Sequence, residues 1–356
     1  MLSPYGYSIA GFGENPSARY ACARTHHFQL HMCRCLRDSA FAVREVERTR
    51  ELLAEQLHDA FVLERGDSLH VLHACLREIL LSRFTHVGRD IECSPTMFYV
   101  QQQILHGQLD SDLACVRSAP LPDSEEAFIS WFASRSHSDG SAPHPLFTFL
   151  ERDASLPQFR RFIEIEAGVH IAFDDVLAYA QIGVRGAPRR EFLHNLCDET
   201  GSPSEDNFHL TMFSRLVHGL YISDIDVHAL PWQSLACANY LMFLACFRSF
   251  FQYCAGYLGL LEAHTPARFG CILRGGHRLG IESSLLEYHA QHSELDTAHA
   301  QGWLNNILLP RIATHGKGAA HAIATGVRLR EHVANRYWDA VLDELRAIHC
   351  FEVALS

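Results

Sequence analysis

Apolar positions recur along this chain mostly at helical spacing. Val43, Val46, Leu52, Leu53, Leu57 and Phe61 share one side of a helix written over 42–61, among Arg and Glu. Segments 68–84 and 97–109 continue the pattern, and 157–168, 173–182, 188–198, 206–220, 232–262, 279–309 and 318–348 also read as helices. Sustained period-two alternation and Asn-Gly hairpin turns are missing, so strands are not expected. The polar run 134–143, rich in Ser, Gly and Pro, interrupts the pattern and predicts a boundary. The expected fold class is all-α. A helical bundle runs from about residue 141 onward, behind a helical N-terminal region over 1–140.

Composition narrows the possibilities. Hydrophobic residues at 48% over 356 positions can bury a large core, which excludes disorder as the dominant state. A formal charge of −11 excludes a general binder of phosphate backbones, so no nucleic-acid partner is expected. The most apolar run, 240–261, is interrupted by Arg248 and Gln252 and closed by Glu262; a buried bundle helix is expected there, not a membrane span. The N-terminus shows no basic region followed by an apolar one. The 12 cysteines are scattered without a disulfide framework, so reduced thiols in a cytoplasmic protein are expected. No Gly-rich phosphate loop and no nucleophile elbow is present.

Histidine is unusually common, at 24 residues, which makes ligand spacing informative. His292, Asp296 and His299 stand at i, i+4 and i+7 and lie within roughly 60° of one another around a helix axis. One helix face thus presents imidazole, carboxylate and imidazole, a set that suits iron, manganese or zinc. Glu199 ends another helical segment. Gly201 and Pro203 break the chain after it, and His209 follows on the next helix. Glu262 closes the most apolar run, where a carboxylate is either at the surface or turned toward a cation. Bundles build two-metal sites by projecting such side chains inward from facing helices.

In these three pieces the chain resembles the heme-oxygenase-like diiron oxidases and oxygenases. The pieces are Asn195 through Gly201 with His209, then Glu262, then His292-x3-Asp296-x2-His299 followed by Gly302-Trp303. The segment 173–183 and Arg278-Leu279-Gly280 also fit, and the resemblance covers roughly 144–345. It implies a seven-helix bundle over 141–356, with the 1–140 region as the dimerising part of a homodimer. It implies two iron ions held by Glu199, His209, Glu262, His292, Asp296 and His299. A seventh carboxylate would come from Glu166, with Asp174 as the rival. The family's irons activate O2 through a peroxo-bridged pair, with electrons from an external donor. The resemblance is nearest to the members that N-oxygenate an amino-acid-derived amine in natural-product biosynthesis, the amine arriving free or tethered to a carrier. Oxidative C–C cleavage of an amino or fatty acid by the same cofactor is the alternative, and a non-catalytic helical binding module the rival outside enzymes. Heme is a poor fit, since carboxylates would face a dianionic cofactor. Arg274 and Arg278, ahead of the third piece, are the candidates to hold a substrate carboxylate.

Other chemistry-bearing residues read as structural. His26, His27, His31, Cys33 and Cys35 lack the paired spacing of a zinc site. His289 is expected beside the ligands or exposed, Asp224, Asp226 and His228 in a solvated loop, and Tyr337 and Trp338 in the core.

Overall fold

Among the described residues every regular element is a helix, which agrees with the all-α expectation. The structure is a computed structural model describing residues 23–84, 91, 93–117, 120–137, 139–170, 173–201 and 208–354. The N-terminal reading of residues 1–22, Pro203 in the turn after Glu199, and Cys22 lie outside the described residues. In chain order the helices are α1 Ala23–Arg37, α2 Ser39–Arg44, α3 Val46–Phe61, α4 Gly66–Leu81, α5 Pro95–Val116, α6 Glu125–Ala133, α7 Pro145–Arg152 and α8 Leu156–Val169. Then come α9 Phe173–Ala180, α10 Ala187–Glu199, α11 His209–Gly219, α12 Trp232–Cys246, α13 Phe251–Arg278, α14 Glu287–Gly302 and α15 Leu309–Ala354. A π-helical turn, Trp303–Leu308, joins the last two.

The chain forms two compact units, Met1–Cys115 with Asp224–Phe243, and Val116–Ser223 with Leu244–Ser356. The expected boundary at 134–143 therefore falls inside the second unit. Its polar composition marks a loop, and that loop is tied down: His264 of α13 hydrogen-bonds the Arg135 carbonyl at 2.8 Å, and Arg135 pairs with Glu331 at 3.4 Å.

In the first unit, α4 is buried along most of its length. His73 at its centre hydrogen-bonds Gln108 at 2.7 Å, Gln108 donates to Asp112 at 2.6 Å, and Tyr240 donates to the same carboxylate at 2.7 Å. A buried polar chain of this kind is stable only because each member has a partner. The Asp226–His228 stretch is not the solvated loop expected: His228 is half-buried and its ring stacks on His70 at 6.1 Å. His31 bonds Thr49 at 2.8 Å and approaches Cys35, and no metal-sized group of ligands forms there among the described residues.

In the second unit α13 is the axis. It meets α15 at two glycines: a methyl on Gly256 would lie 2.0 Å from the Ile323 carbonyl oxygen, and one on Gly326 would lie 2.1 Å from that of Tyr253. Neither position tolerates a side chain, so backbone touches backbone at this crossing. Elsewhere in the unit Phe147 packs on Trp338 and Phe192 on Trp303, all four fully buried. Burying each ring contributes about 2–3 kcal/mol. Ser155 and Gln158 form a capping box that starts α8, with Pro157 in its first turn.

Three helix expectations change at their ends. The run 42–61 divides at Glu45 into α2 and α3. The run 232–262 stops at Cys246, and α13 begins at Phe251 and continues to Arg278. Arg248 sits in the break, donating to the carbonyls of Ala180, Ile182 and Ala245 at 2.8, 2.8 and 2.5 Å, which satisfies helix-end acceptors. With that break, no single described helix is long and apolar enough to cross a membrane. The run 279–309 starts as helix only at Glu287, because Gly280 at φ 77° closes α13 in the left-handed region. The ten cysteines from Cys33 to Cys271 are free thiols.

Candidate metal centre

Four helices of the second unit supply the site. α10 ends at Glu199 because Gly201, at φ 66°, turns the chain out of the helix, and His209 opens α11. Glu262 lies on the fourth turn of α13, and His292, Asp296 and His299 lie on one face of α14. The six residues fall into two triads, Glu199–His209–His292 and Glu262–Asp296–His299. Within each triad one ligand atom per residue lies within 4.8 Å of the others, and all six residues are buried.

In the first triad the His209 Nδ1 and a Glu199 oxygen are 2.8 Å apart, and His292 Nε2 is 3.7 Å from the other oxygen. His292 donates Nδ1–H to the Tyr288 carbonyl at 2.8 Å, which fixes the ring and turns Nε2 toward Glu199. The His209 Nε2 is buried with no hydrogen-bond partner among the described residues. Burial works to raise the Glu199 carboxyl, but hydrogen bonds and charge from His209 and His292 outweigh it and hold it well below the usual range.

The second triad sets two carboxylates side by side. Burial, then the Asp296 charge, pushes the Glu262 carboxyl well up; His299 works the other way, and Glu199 and Glu191 add further negative charge. His299 is 3.0 Å from Asp296 and 3.8 Å from Glu262 through Nδ1, and 2.8 Å from Asp198 through Nε2. Burial opposes its charge, yet Asp296, Glu262 and Asp198 together raise it to about 10. Three buried carboxylates, Glu199, Glu262 and Asp296, with half-buried Asp198 beside them, therefore converge on three imidazoles. A lone-pair-bearing His209 Nε2 and a carboxylate pair in need of a counter-charge are what a cationic pair would satisfy, and His/carboxylate donors suit iron.

A polar brace holds α10 against α14. Trp303 Nε1–H donates to Asn195 at 2.9 Å, Asn195 donates to Glu191 at 3.1 Å, and Asn306 donates to the other Glu191 oxygen at 2.7 Å. A methyl on Gly302 would lie 2.1 Å from Glu191 Oε1, so a side chain there would push the Glu191 carboxylate out of the brace. The π-helical turn that follows α14 presents Trp303 and Asn306 to this brace.

Other expected site residues are placed elsewhere. Glu166 is in neither triad; one of its oxygens accepts a short hydrogen bond from Tyr337, which takes up the carboxylate. The rival, Asp174, is half-buried, and its carboxyl is pushed up to about 6 by burial, then by Asp175 and by Glu199 of the first triad. Arg274 and Arg278, expected to hold substrate, serve α7 instead. Arg274 makes a two-point contact to Glu151 at 3.0 and 3.2 Å, and Arg278 donates to the carbonyls of Leu150, Glu151 and Ala154. They are drawn there because Gly275 lets the α7 backbone approach α13 closely.

Three neighbours went unrecognised in the sequence. Asp198 accepts from His299 Nε2. Glu191 anchors the brace. His170 stacks on Phe213 at 5.0 Å, and burial pushes its imidazole down to about 3 despite the nearby Glu199 charge. His289 is fully buried beside Phe269, and burial pushes it down to about 3. Asp198 was visible as the neighbour of Glu199 in sequence; the other two are partnered by residues distant in the chain.

Residues 160–335 match the family model described as an iron-containing redox enzyme. The matched stretch, just under half of the chain, holds both triads. No curated protein matches the chain significantly.

Proposed function

From a chain related over residues 160–335 to the iron-containing redox enzymes, we propose a non-heme diiron oxygenase that N-oxygenates an amino-acid-derived amine in natural-product biosynthesis. The observation that carries the diiron reading is the pair of buried triads, Glu199–His209–His292 and Glu262–Asp296–His299, one for each metal. Two irons bound there supply the oxidising power for transfer of an oxygen atom from O2, with electrons from an external donor. The amine and the donor are the proposed partners, and the proposed assembly is a homodimer.

The chain's own residues prepare the site. Glu262 would help hold the metal of the second triad, within the electrostatic field of Glu199 in the first. Asp198 orients His299, and the Tyr288 carbonyl orients His292. Phe213, Phe269 and Tyr288 close an aromatic wall over His292 and His289, which keeps water out. An electrophilic oxidant needs a neutral amine lone pair, so an ammonium proton must leave first. Asp174, raised to about 6 and within reach of the Glu199 field, is the carboxylate suited to accept it.

The test is anaerobic loading with ferrous iron, then O2 with a panel of amines. The expected result is about two irons per chain and amine products heavier by oxygen. Iron-free protein under these conditions would defeat the diiron reading, and a shortened acid in place of an oxygenated amine would promote C–C cleavage.

A further inference from the structure

Beside the two triads, a third set of ligand atoms closes to within the same 4.8 Å: His194, Asp198 and His299. His194 and Asp198 stand one turn apart on α10, with His194 Nε2 3.7 Å from an Asp198 oxygen. That oxygen is also 2.8 Å from His299 Nε2 on α14. The His194 and His299 rings meet edge to face, with centroids 5.9 Å apart. Imidazole and carboxylate donors gathered this closely suit the same divalent ions as the triads.

Access separates this set from the triads. Side-chain exposure falls from 64% at His194 through 30% at Asp198 to 3% at His299, and Asp296 and Glu262 beyond it are 3% and 4% exposed. His299 is the shared member and uses different edges of its ring. Nε2 faces Asp198, while Nδ1 faces Asp296 at 3.0 Å and Glu262 at 3.8 Å. A line of nitrogen and oxygen donors therefore runs from solvent to the second triad. A bare divalent ion cannot cross apolar protein, because its desolvation is too costly. Along this line each water it sheds is replaced by a side-chain donor, and the paired carboxylates of the second triad draw it inward. A neutral imidazole offers one lone pair at a time. His299 therefore serves an outer ion or an inner one, never both, and the outer ion must give way.

We infer that His194, Asp198 and His299 form a third divalent-cation site, a surface port that takes up ferrous iron and passes it to the second triad. The destination rests on the proposed metal centre; the outer site does not. Because the port holds an ion only in transit, it governs how fast iron enters and leaves the final iron content unchanged.

The test has two arms, both on full-length protein. The first mixes the iron-free chain anaerobically with ferrous iron, quenches with a chelator at intervals and counts the iron retained. His194→Ala should slow retention about tenfold and reach the wild-type end point. His194→Glu, which puts another ligand in the same place, should recover most of the rate. The second arm titrates Co2+ by calorimetry into a chain carrying Glu262→Gln and Asp296→Asn, which removes the inner carboxylates. Adding His194→Ala to that chain should abolish one binding step. A His194→Ala chain that loads as fast as wild type, or a Co2+ titration that ignores His194, overturns the inference. Wild-type protein that retains no iron would defeat the two-metal reading, and the Co2+ titration alone would then decide the outer site.

Discussion

Buried histidines occur in both units, and their partners differ in kind. In the first unit His73 meets an amide: Gln108 stands between it and Asp112, and Trp232 stacks on its ring at 5.8 Å. In the second unit His209 and His299 meet carboxylates directly, at 2.8 and 3.0 Å, and His292 lies 3.7 Å from one. An amide between ring and carboxylate gives a satisfied network in which the imidazole does not meet the charge directly. Direct contact, repeated across two triads with a second carboxylate in one of them, leaves excess negative charge that protons or metal must balance. Abundance of histidine therefore says little, while the carboxylate at its edge says much.

The largest effect should come from breaking the second-unit side of this contrast. Asp296→Asn is expected to lower iron from about two per chain to one or none and to reduce turnover by at least about a thousandfold, read by metal analysis and product formation. The iron-free chain should respond in the opposite direction to Glu262→Gln. The Glu262 carboxyl is raised in the folded state, so its contribution to stability is lost as pH rises above the unfolded value of 4.5. The neutral isostere escapes that loss, and at pH 7 the iron-free variant should unfold at higher denaturant than iron-free wild type, by roughly 1–3 kcal/mol. Equal or lower stability would mean that the pair is not in electrostatic conflict.

Next in size is Gly302→Ala. The methyl would displace Glu191 and with it the Asn195–Trp303 brace, at a cost of about 1–3 kcal/mol. Iron affinity should fall about 10–100-fold, since the brace sets α10 against α14. His73→Ala in the first unit should cost a similar 1–3 kcal/mol, because Gln108 loses a buried partner. Its iron content should be unchanged. Loss of iron in that variant would break the contrast between the units.

Much of this site was legible because α14 carries three ligands at one helical spacing, a pattern that needs no knowledge of neighbouring helices. Glu199, His209 and Glu262 were legible only through resemblance, since a lone carboxylate at a helix end has several ordinary explanations. Glu191 and His170 were not legible at all: what marks Glu191 is the missing side chain of Gly302, far along the chain, and what marks His170 is a ring contact with Phe213. The same limit misdirected the arginines. Arg274 and Arg278 are adjacent to the motif in sequence, but Gly275 brings α7 against them. In the fold, composition located the loop at 134–143 and could not show that α6 before it belongs with α15 after it.

Acid should separate the units more gently. Burial, then the His228 charge, holds His70 down to about 4 in the folded first unit. The unfolded chain binds a proton near 6.5 that the folded one refuses, so this contribution is fully present above 6.5 and is lost as pH falls toward 4. The slope should approach 1.4 kcal/mol per pH unit within that window. His70→Phe should flatten it in denaturation of the iron-free chain, and an unchanged slope would assign acid sensitivity to the triads instead.

The smallest effect should come from His194. It stands 3.7 Å from Asp198 and so has the carboxylate neighbour that marks the triads, but its side chain is 64% exposed. Water screens the pair, and surface ion pairs contribute about 0–1 kcal/mol. His194→Ala should therefore change stability by less than about 0.5 kcal/mol and leave iron content at the wild-type level. Asp198→Asn, at a half-buried position bonded to buried His299, should weaken iron binding about 10–100-fold, because His299 Nε2 loses the carboxylate that orients it. If the two variants behaved alike, burial would not be the property that separates a metal-ready histidine–carboxylate pair from an ordinary one.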